Sequence, residues 1–332
     1  MTVSLKKWVS QTVSNLRNDD KSLQARLFRP LYYIYVAGLL SITKHRTWGT
    51  SIFERDWDAL IILDACRVDA LRDVSDEYDF LTVEDTITSV GSTSFEWMNN
   101  TFDVRHREEI KETSYITGNG YTEPVLEHGG ETGHAAMPFG PSEYEVVTPE
   151  DFGHLEELWR ADFDETSEWM IDGDVGSRIN PEYTTDRAIK AGREQPTEQL
   201  VVHYMYPHDP FPLADRAELF RPFDSLRSGD ISREEAYSEY LDHLRLVLDE
   251  VERLLDNLDA EKVVITADHG EAFGEFGFYR HVIGCPLPCI REVPWVITDA
   301  EDQKTCASVA PNPESGTESI SVEARLEDLG YL

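Results

Sequence analysis

The run Val263-Val264-Ile265-Thr266-Ala267-Asp268-His269-Gly270-Glu271 constrains the fold more than any other stretch. An apolar, β-branched segment ends at once in an acid, an imidazole, a glycine and a second acid. β-Branched residues without alternating polarity read as an interior strand of a parallel sheet, buried on both faces. Open α/β sheets bind ligands in the crevice at the carboxyl ends of such strands, so Asp268 and His269 fall where metal ligands are expected. The same grammar appears in Ala59-Leu60-Ile61-Ile62-Leu63-Asp64-Ala65-Cys66-Arg67, where Asp64 ends an apolar run and helix-compatible residues follow. Two strand-end carboxylates with an imidazole suit a divalent cation. That donor set favours Mn or Zn and leaves Mg and Ca open. Taken singly, each motif also fits a solvated strand-end acid.

A third segment, Leu200-Val201-Val202-His203-Tyr204-Met205-Tyr206-Pro207-His208-Asp209-Pro210-Phe211, runs from β-rich residues into a His-Asp pair between two prolines. The prolines stiffen the backbone and hold the pair in a defined turn. His208 suits a metal or an anionic substrate; the alternative is a turn histidine with Asp209 capping the loop. His203 reads as packed inside the strand.

These residues resemble the alkaline phosphatase and sulfatase superfamily. Its sulfatase-like members read strand-Leu-Asp-x-x-Arg, strand-His-Tyr-x-x-Pro-His-x-Pro-Phe/Tyr and strand-Asp-His-Gly-Glu. Here those are Leu63 to Arg67, His203 to Phe211 and Ala267 to Glu271, in the family's order. Arg291-Glu292-Val293-Pro294-Trp295-Val296 is similar to the Arg-Val-Pro strand that follows the site, and Leu326 to Tyr331 to the C-terminal helix. The resemblance implies that Asp64, Asp268 and His269 are metal ligands and that His208 meets the substrate's anionic oxygens. It implies a further site histidine at His281, as ligand or substrate contact, with Arg280 and Arg67 as basic residues toward the substrate. The family's nucleophile sits at a helix N-terminus between the first two motifs and doubles as a metal ligand.

Gly91-Ser92-Thr93-Ser94-Phe95-Glu96-Trp97 offers such a nucleophile in Thr93 or Ser94. Thr93 with Glu96 makes a capping box, and the helix dipole would stabilise alkoxide and oxyanion charge. Capping alone also explains the pattern. The Cys-x-Pro-x-Arg string of genuine sulfatases is missing: Cys66 lies in another motif, and Cys285 to Arg291 has the wrong register. A hydroxyl nucleophile points to a metal-dependent hydrolase or transferase acting on a phosphate ester in preference to a sulfate ester. The Pro-Ser-His/Arg that usually follows the nucleophile is also missing. A catalytically silent binding or structural member of the same fold is the alternative.

Charge supplies a separate conclusion. There are 64 acidic and 30 basic residues, net −34, and only 8 of the basic ones are lysines. That is the surface of a halophile, hydrated and soluble where ~1 M salt screens repulsion to within about 3 Å. Hydrophobic residues at 40% and aromatics at 11% exclude a disordered acidic chain. A polyanion also disfavours nucleic acid as a partner. Residues 1–47 depart from this balance, with eight basic residues, two acids and a net +6 that leaves −40 for the rest. Within them Leu31 to Ile42 is apolar but shorter than the ~20 residues of a spanning helix. This basic head reads either as an interfacial anchor on an anionic membrane or as a helix packed on the sheet. An anchor would make lipid head groups or lipid-linked glycans natural substrates.

The expected architecture is α/β, a mostly parallel central sheet with helices on both faces, over 51–332 after the basic helical segment 1–50. Ser232-Arg233-Glu234-Glu235 is a capping box opening a long helix, with Tyr237, Tyr240, Leu241, Leu244, Val247, Leu248, Val251, Leu254 and Leu255 on its core face. Residues 119–180 read as a variable insertion beside the site and 301–318 as a flexible linker before the last helix. Four cysteines without framework spacing, and no cleavable signal, lead to the expectation of a reduced, cytoplasmic setting, with peripheral contact to the inner face of a membrane if the head is an anchor.

Overall fold

The computed structural model describes residues 2–17, 23–129, 136–141, 144–161, 163, 167–173, 177–307 and 309–312. The helix expected over 326–331 lies outside them. Seven strands form the central sheet: β1 Ala59–Leu63, β2 Thr86–Thr88, β3 Thr113–Thr117, β4 His154–Glu157, β5 Gln199–Tyr204, β6 Ala260–Thr266 and β7 Glu292–Ala300. Their spatial order is β2-β7-β6-β1-β5-β3-β4. From β6 to β4 all neighbours pair in parallel, while β7 runs antiparallel to both β6 and β2. The fold is thus an α/β architecture around a mostly parallel sheet.

Register sets the site. Ile62 of β1 lies opposite Thr266 of β6 on one side and His203 of β5 on the other. The three strands therefore end level, and the residues that follow them emerge into one crevice. All five positions of β1 are buried, as an interior parallel strand requires.

The longer helices are α1 Leu5–Arg17, α2 Leu23–Thr43, α3 Val68–Val74, α4 Ser94–Thr101, α5 Pro181–Glu194 and α6 Arg233–Leu255. Successive strand residues point to opposite faces, so His203 and Tyr204 mark the two sides of β5. Trp97 of α4 packs edge-on against His203, with ring centroids 5.8 Å apart, and the Tyr204 hydroxyl meets Thr185 of α5 at 2.8 Å. Helices therefore cover both faces. α6 opens on the reciprocal box in which Ser232 Oγ accepts from the Glu235 amide and the Glu235 carboxylate accepts from the Ser232 amide. Its Tyr240, Leu244, Val247, Leu248, Val251, Leu254 and Leu255 are buried, and Tyr237 and Leu241 pack partly buried against the same core.

Two stretches differ from the sequence picture. Within 119–180, β4 forms an edge of the central sheet, so this stretch builds part of the α/β unit. Its sequence His-Leu-Glu-Glu lacks the apolar run by which the other parallel strands are recognised. Residues 301–307 and 309–312 carry no helix or strand, yet they are held to the body. The Arg193 guanidinium pairs with Asp302 at 2.6 Å, and the Ala310 amide donates to Asp186 at 3.1 Å.

The N-terminal helices pack on one flank. α2 buries Val36, Ala37 and Leu40 with Met137, and Thr2–Val3 pairs in parallel with Ala136–Met137. α1 buries none of its residues. Among the described residues no helix is long and apolar enough to cross a membrane.

Candidate metal and catalytic site

Asp64, Asp268 and His269 leave the ends of β1 and β6 and come together, fully buried. The chain turns sharply after Asp64, where Ala65 adopts a left-handed φ of 61°. The turn is held by the Ala65 amide donating to Asp268 Oδ1 at 3.2 Å and by the Tyr240 hydroxyl donating to the Ala65 carbonyl at 2.8 Å. Gly270 is required for a steric reason, since a Cβ there would collide with the carbonyl oxygen of Cys289.

The imidazole of His269 has its tautomer fixed by its neighbours. Nδ1 lies 2.9 Å from the Gly270 carbonyl, which can only accept, so Nδ1 carries the proton. Burial holds the His269 pKa below its ordinary value, so Nε2 presents a lone pair near neutrality. That lone pair faces Asp268 Oδ2 at 3.4 Å and Asp64 Oδ1 at 3.6 Å. An imidazole nitrogen and two carboxylates, all acceptors, converge in a fully buried crevice. A divalent cation satisfies such a set, with borderline N and O donors that suit Zn or Mn.

His203 joins this group, although the strand pattern marks it as ordinary packing. Its ligand atom lies within 4.8 Å of those of Asp64 and Asp268. Nδ1 is 2.9 Å from the Tyr115 hydroxyl, which orients the ring. Among the described residues Nε2 has no hydrogen-bond partner, and it stands 3.8 Å from Asp268 Oδ2 and 3.9 Å from Asp64 Oδ2. Burial pushes its pKa down to about 4, so it too is neutral and available as a ligand. The signal in the sequence is a titratable residue one position from the carboxyl end of an apolar strand. Asn119 completes the wall by donating to Asp64 Oδ2 at 3.2 Å.

The two candidate hydroxyls at the start of α4 have different partners. Ser94 is fully buried; its Oγ donates to Asp268 Oδ2 at 2.6 Å and lies 3.3 Å from His269 Nε2. Thr93 is half-buried and caps α4, its Oγ1 accepting from the Glu96 amide at 3.2 Å. The reciprocal half of the expected box is absent. The Glu96 carboxylate instead accepts from the Ser92 amide at 3.0 Å, from the Ser92 hydroxyl and from the Gly284 amide at 2.9 Å. Glu96 thereby ties the start of α4 to the loop that carries His281.

A second group lies alongside, formed by His208, Glu271 and His281, whose ligand atoms also fall within 4.8 Å of one another. His281 Nδ1 is 3.1 Å from Glu271 Oε2, and the His269 and His281 rings are 4.3 Å apart. Burial pushes Glu271 up to about 7 and, with Arg280 nearby, pushes His281 down to about 4. Burial also holds His208 well below its ordinary value. The imidazoles are thus neutral near pH 7 and act as donors or ligands without charge. The Tyr206–Pro207 and Asp209–Pro210 bonds flanking His208 are both cis. Arg178 clamps this turn from behind, donating to the carbonyls of His208, Pro210 and Met205.

Of the basic residues, Arg280 stands at the edge of this group, paired with Asp209 at 2.6 Å. Arg67 does not face the crevice. Its guanidinium is committed to Asp69, to Glu275 at 2.8 Å and to the Glu271 carbonyl at 2.7 Å, so it braces the Asp-His-Gly-Glu turn from outside. The motif spacing reveals that an arginine is near, but not where its nitrogens bond. All four cysteines are free, and burial pushes Cys289 up to about 12.

No family model matches the chain, and no curated protein does. Solved structures are similar to parts of it. The soluble domain of lipooligosaccharide phosphoethanolamine transferase A from Neisseria meningitidis is 14% identical over 72% of this chain and 75% of that one, with a TM-score of 0.46. A putative sulfatase from Bacteroides thetaiotaomicron is 12% identical over 82% and 70%, TM-score 0.39. A phosphonate monoester hydrolase from Silicibacter pomeroyi is 15% identical over 82% and 72%, TM-score 0.34. The overlap is partial, so the functional reading rests on this chain's own residues.

Proposed function

We propose that the chain is a metal-dependent enzyme of the alkaline phosphatase and sulfatase type that hydrolyses or transfers a phosphate ester. The observation that carries this reading is the convergence of Ser94 with Asp268, 174 positions apart, beside the fixed lone pair of His269. Structural ion-pair networks do not need a helix N-terminus delivering a buried hydroxyl to a carboxylate and a neutral imidazole.

Asp64, Asp268, His269 and His203 would hold a divalent ion, Zn or Mn by donor type. When bound, such an ion neutralises the charge of the ester's oxygens. The remaining steps belong to the chain. Thr93 would be the nucleophile on the ground that it is half-buried where Ser94 is fully buried and that the Glu96 N–H and the positive end of α4 favour its alkoxide; Ser94, 2.6 Å from Asp268 Oδ2 and 3.3 Å from His269 Nε2, is the alternative. Ser94, buried and donating its hydroxyl hydrogen to Asp268 Oδ2, would then orient that carboxylate. Thr93 would lose its proton to solvent, and its Oγ1 would form the new bond to phosphorus as the bond from phosphorus to the ester oxygen breaks. His208, its Nδ1–H donating to the Asp209 carbonyl, would line the oxygens' pocket with Arg280 nearby. Glu271, pushed up to about 7 and hydrogen-bonded to His281, would give the departing oxygen its proton through that neutral imidazole, and would take one back from the water or acceptor alcohol that releases the phosphoryl group from Thr93. The absence of Cys-x-Pro-x-Arg favours phosphorus over sulfur.

The test is turnover of aryl phosphate monoesters, phosphodiesters and sulfate esters with Zn or Mn, comparing wild type with Asp268→Ala and Thr93→Ala. Metal-dependent turnover lost in both variants is expected. A folded, metal-loaded protein that turns over none of these esters would instead favour a silent binding protein of the same fold.

A further inference from the structure

The N-terminal helices expose apolar surface out of proportion to their length. Of the 15 exposed large apolar side chains among the described residues, 10 fall within the first 48 positions. On α1, Leu5, Val9, Val13 and Leu16 recur at helical spacing along one stripe, each at least 39% exposed. On α2, Leu31 and Ile42 are each 66% exposed, opposite the buried Val36, Ala37 and Leu40. Monomers rarely leave such rows in water. The flanking charge is cationic, with Lys6, Lys7, Arg17 and Arg29 exposed on a head of net +6 attached to a body of net −40.

We propose that α1 and the outer face of α2 lay this protein on the surface of an anionic lipid bilayer without crossing it. Apolar rows flanked by lysine and arginine match the two layers of such a surface, acyl chains below and anionic headgroups above. At 0.1 M salt, charges beyond about 10 Å are screened, so the contacting cations outweigh the distant acidic body. The same α2 grips the loop of the second site group. Its Tyr32 hydroxyl donates to the Ile283 carbonyl at 2.7 Å and its Tyr35 hydroxyl to the Gly284 carbonyl at 3.0 Å. Docking therefore holds the residues next to His281 close to the bilayer. Resting on the proposed function, this makes an ester carried by a lipid the substrate class.

Flotation of the full chain with vesicles of phosphatidylglycerol or phosphatidylcholine in 0.1 M salt tests the docking independently of turnover. Binding to phosphatidylglycerol at least tenfold tighter than to phosphatidylcholine is expected. Lys6→Ala/Lys7→Ala should weaken it about tenfold or more, at roughly one decade or less per cation. Leu5→Glu/Val9→Glu and Leu31→Glu, at exposed positions where folding is insensitive, should abolish it. Absence of binding to either vesicle, or binding that these changes leave intact, overturns the proposal. So does a concentration-dependent dimer that Leu5→Glu/Val9→Glu dissolves without vesicle binding, since the face would then serve a second copy. Vesicle binding without ester turnover would leave the docking standing and remove only the proposed chemistry.

Discussion

Thr93 and Ser94 are neighbours whose hydroxyls do different things, and mutation separates them. Thr93→Ala removes the attacking oxygen and should lower kcat about 10^3-fold or more while leaving metal content unchanged, read by turnover and elemental analysis. Ser94→Ala removes the donor to Asp268 Oδ2 and should lower metal affinity about tenfold, with kcat at saturating metal much less affected. The opposite ranking would make Ser94 the nucleophile. His203→Ala is expected to cost at least about tenfold in metal affinity, measured by competition with a chelating dye. Asp64, Asp268 and His269 are legible from sequence because a charged residue where an apolar strand surfaces is unusual. His203 is not, since inside a strand its neighbours in sequence say nothing of the carboxylates across the sheet.

At the scale of elements, β1, β5 and β6 are legible as unbroken apolar runs, and α6 as a capped amphipathic helix. β4 is not, because edge position removes the need for apolar residues on both faces. Its Glu156 makes a buried pair with Arg187, their side chains 8% and 6% exposed, which joins the sheet edge to α5. Burial alone would raise the Glu156 pKa, but hydrogen bonds from His154 and Arg187 outweigh it and hold the carboxyl below its ordinary value of 4.5. A carboxylate depressed in the folded state stabilises above the unfolded pKa, and that contribution fades as pH falls through the folded one. Glu156→Ala should therefore cost about 3 kcal/mol at pH 7 by leaving Arg187 buried and unpaired. The difference from wild type should shrink as pH falls below 4.5, as read by denaturant unfolding. A pH-independent difference would deny the ion pair that role.

For the whole molecule, net −34 concentrates repulsion on a body of net −40. Screening should stabilise the fold, so raising KCl from low to molar concentration should raise Tm by about 5 °C or more, equivalent to about 3.5 kcal/mol for a chain of this size. An unchanged or falling Tm would remove the halophilic reading. The acidic body also explains why the cationic head is informative: charge is segregated along the chain, and the structure keeps the segregated segment against the loop of His281.

The proposed chemistry depends most directly on an ion held where the ends of β1, β5 and β6 meet. The most direct measurement is zinc or manganese content together with aryl phosphate turnover, in chelator-stripped and reconstituted protein, for wild type and Asp268→Ala. About one tightly held ion, with turnover lost on stripping, restored on reconstitution and absent in Asp268→Ala, is the predicted result. Turnover that survives complete metal removal, or a wild type that binds no more metal than Asp268→Ala, would contradict it.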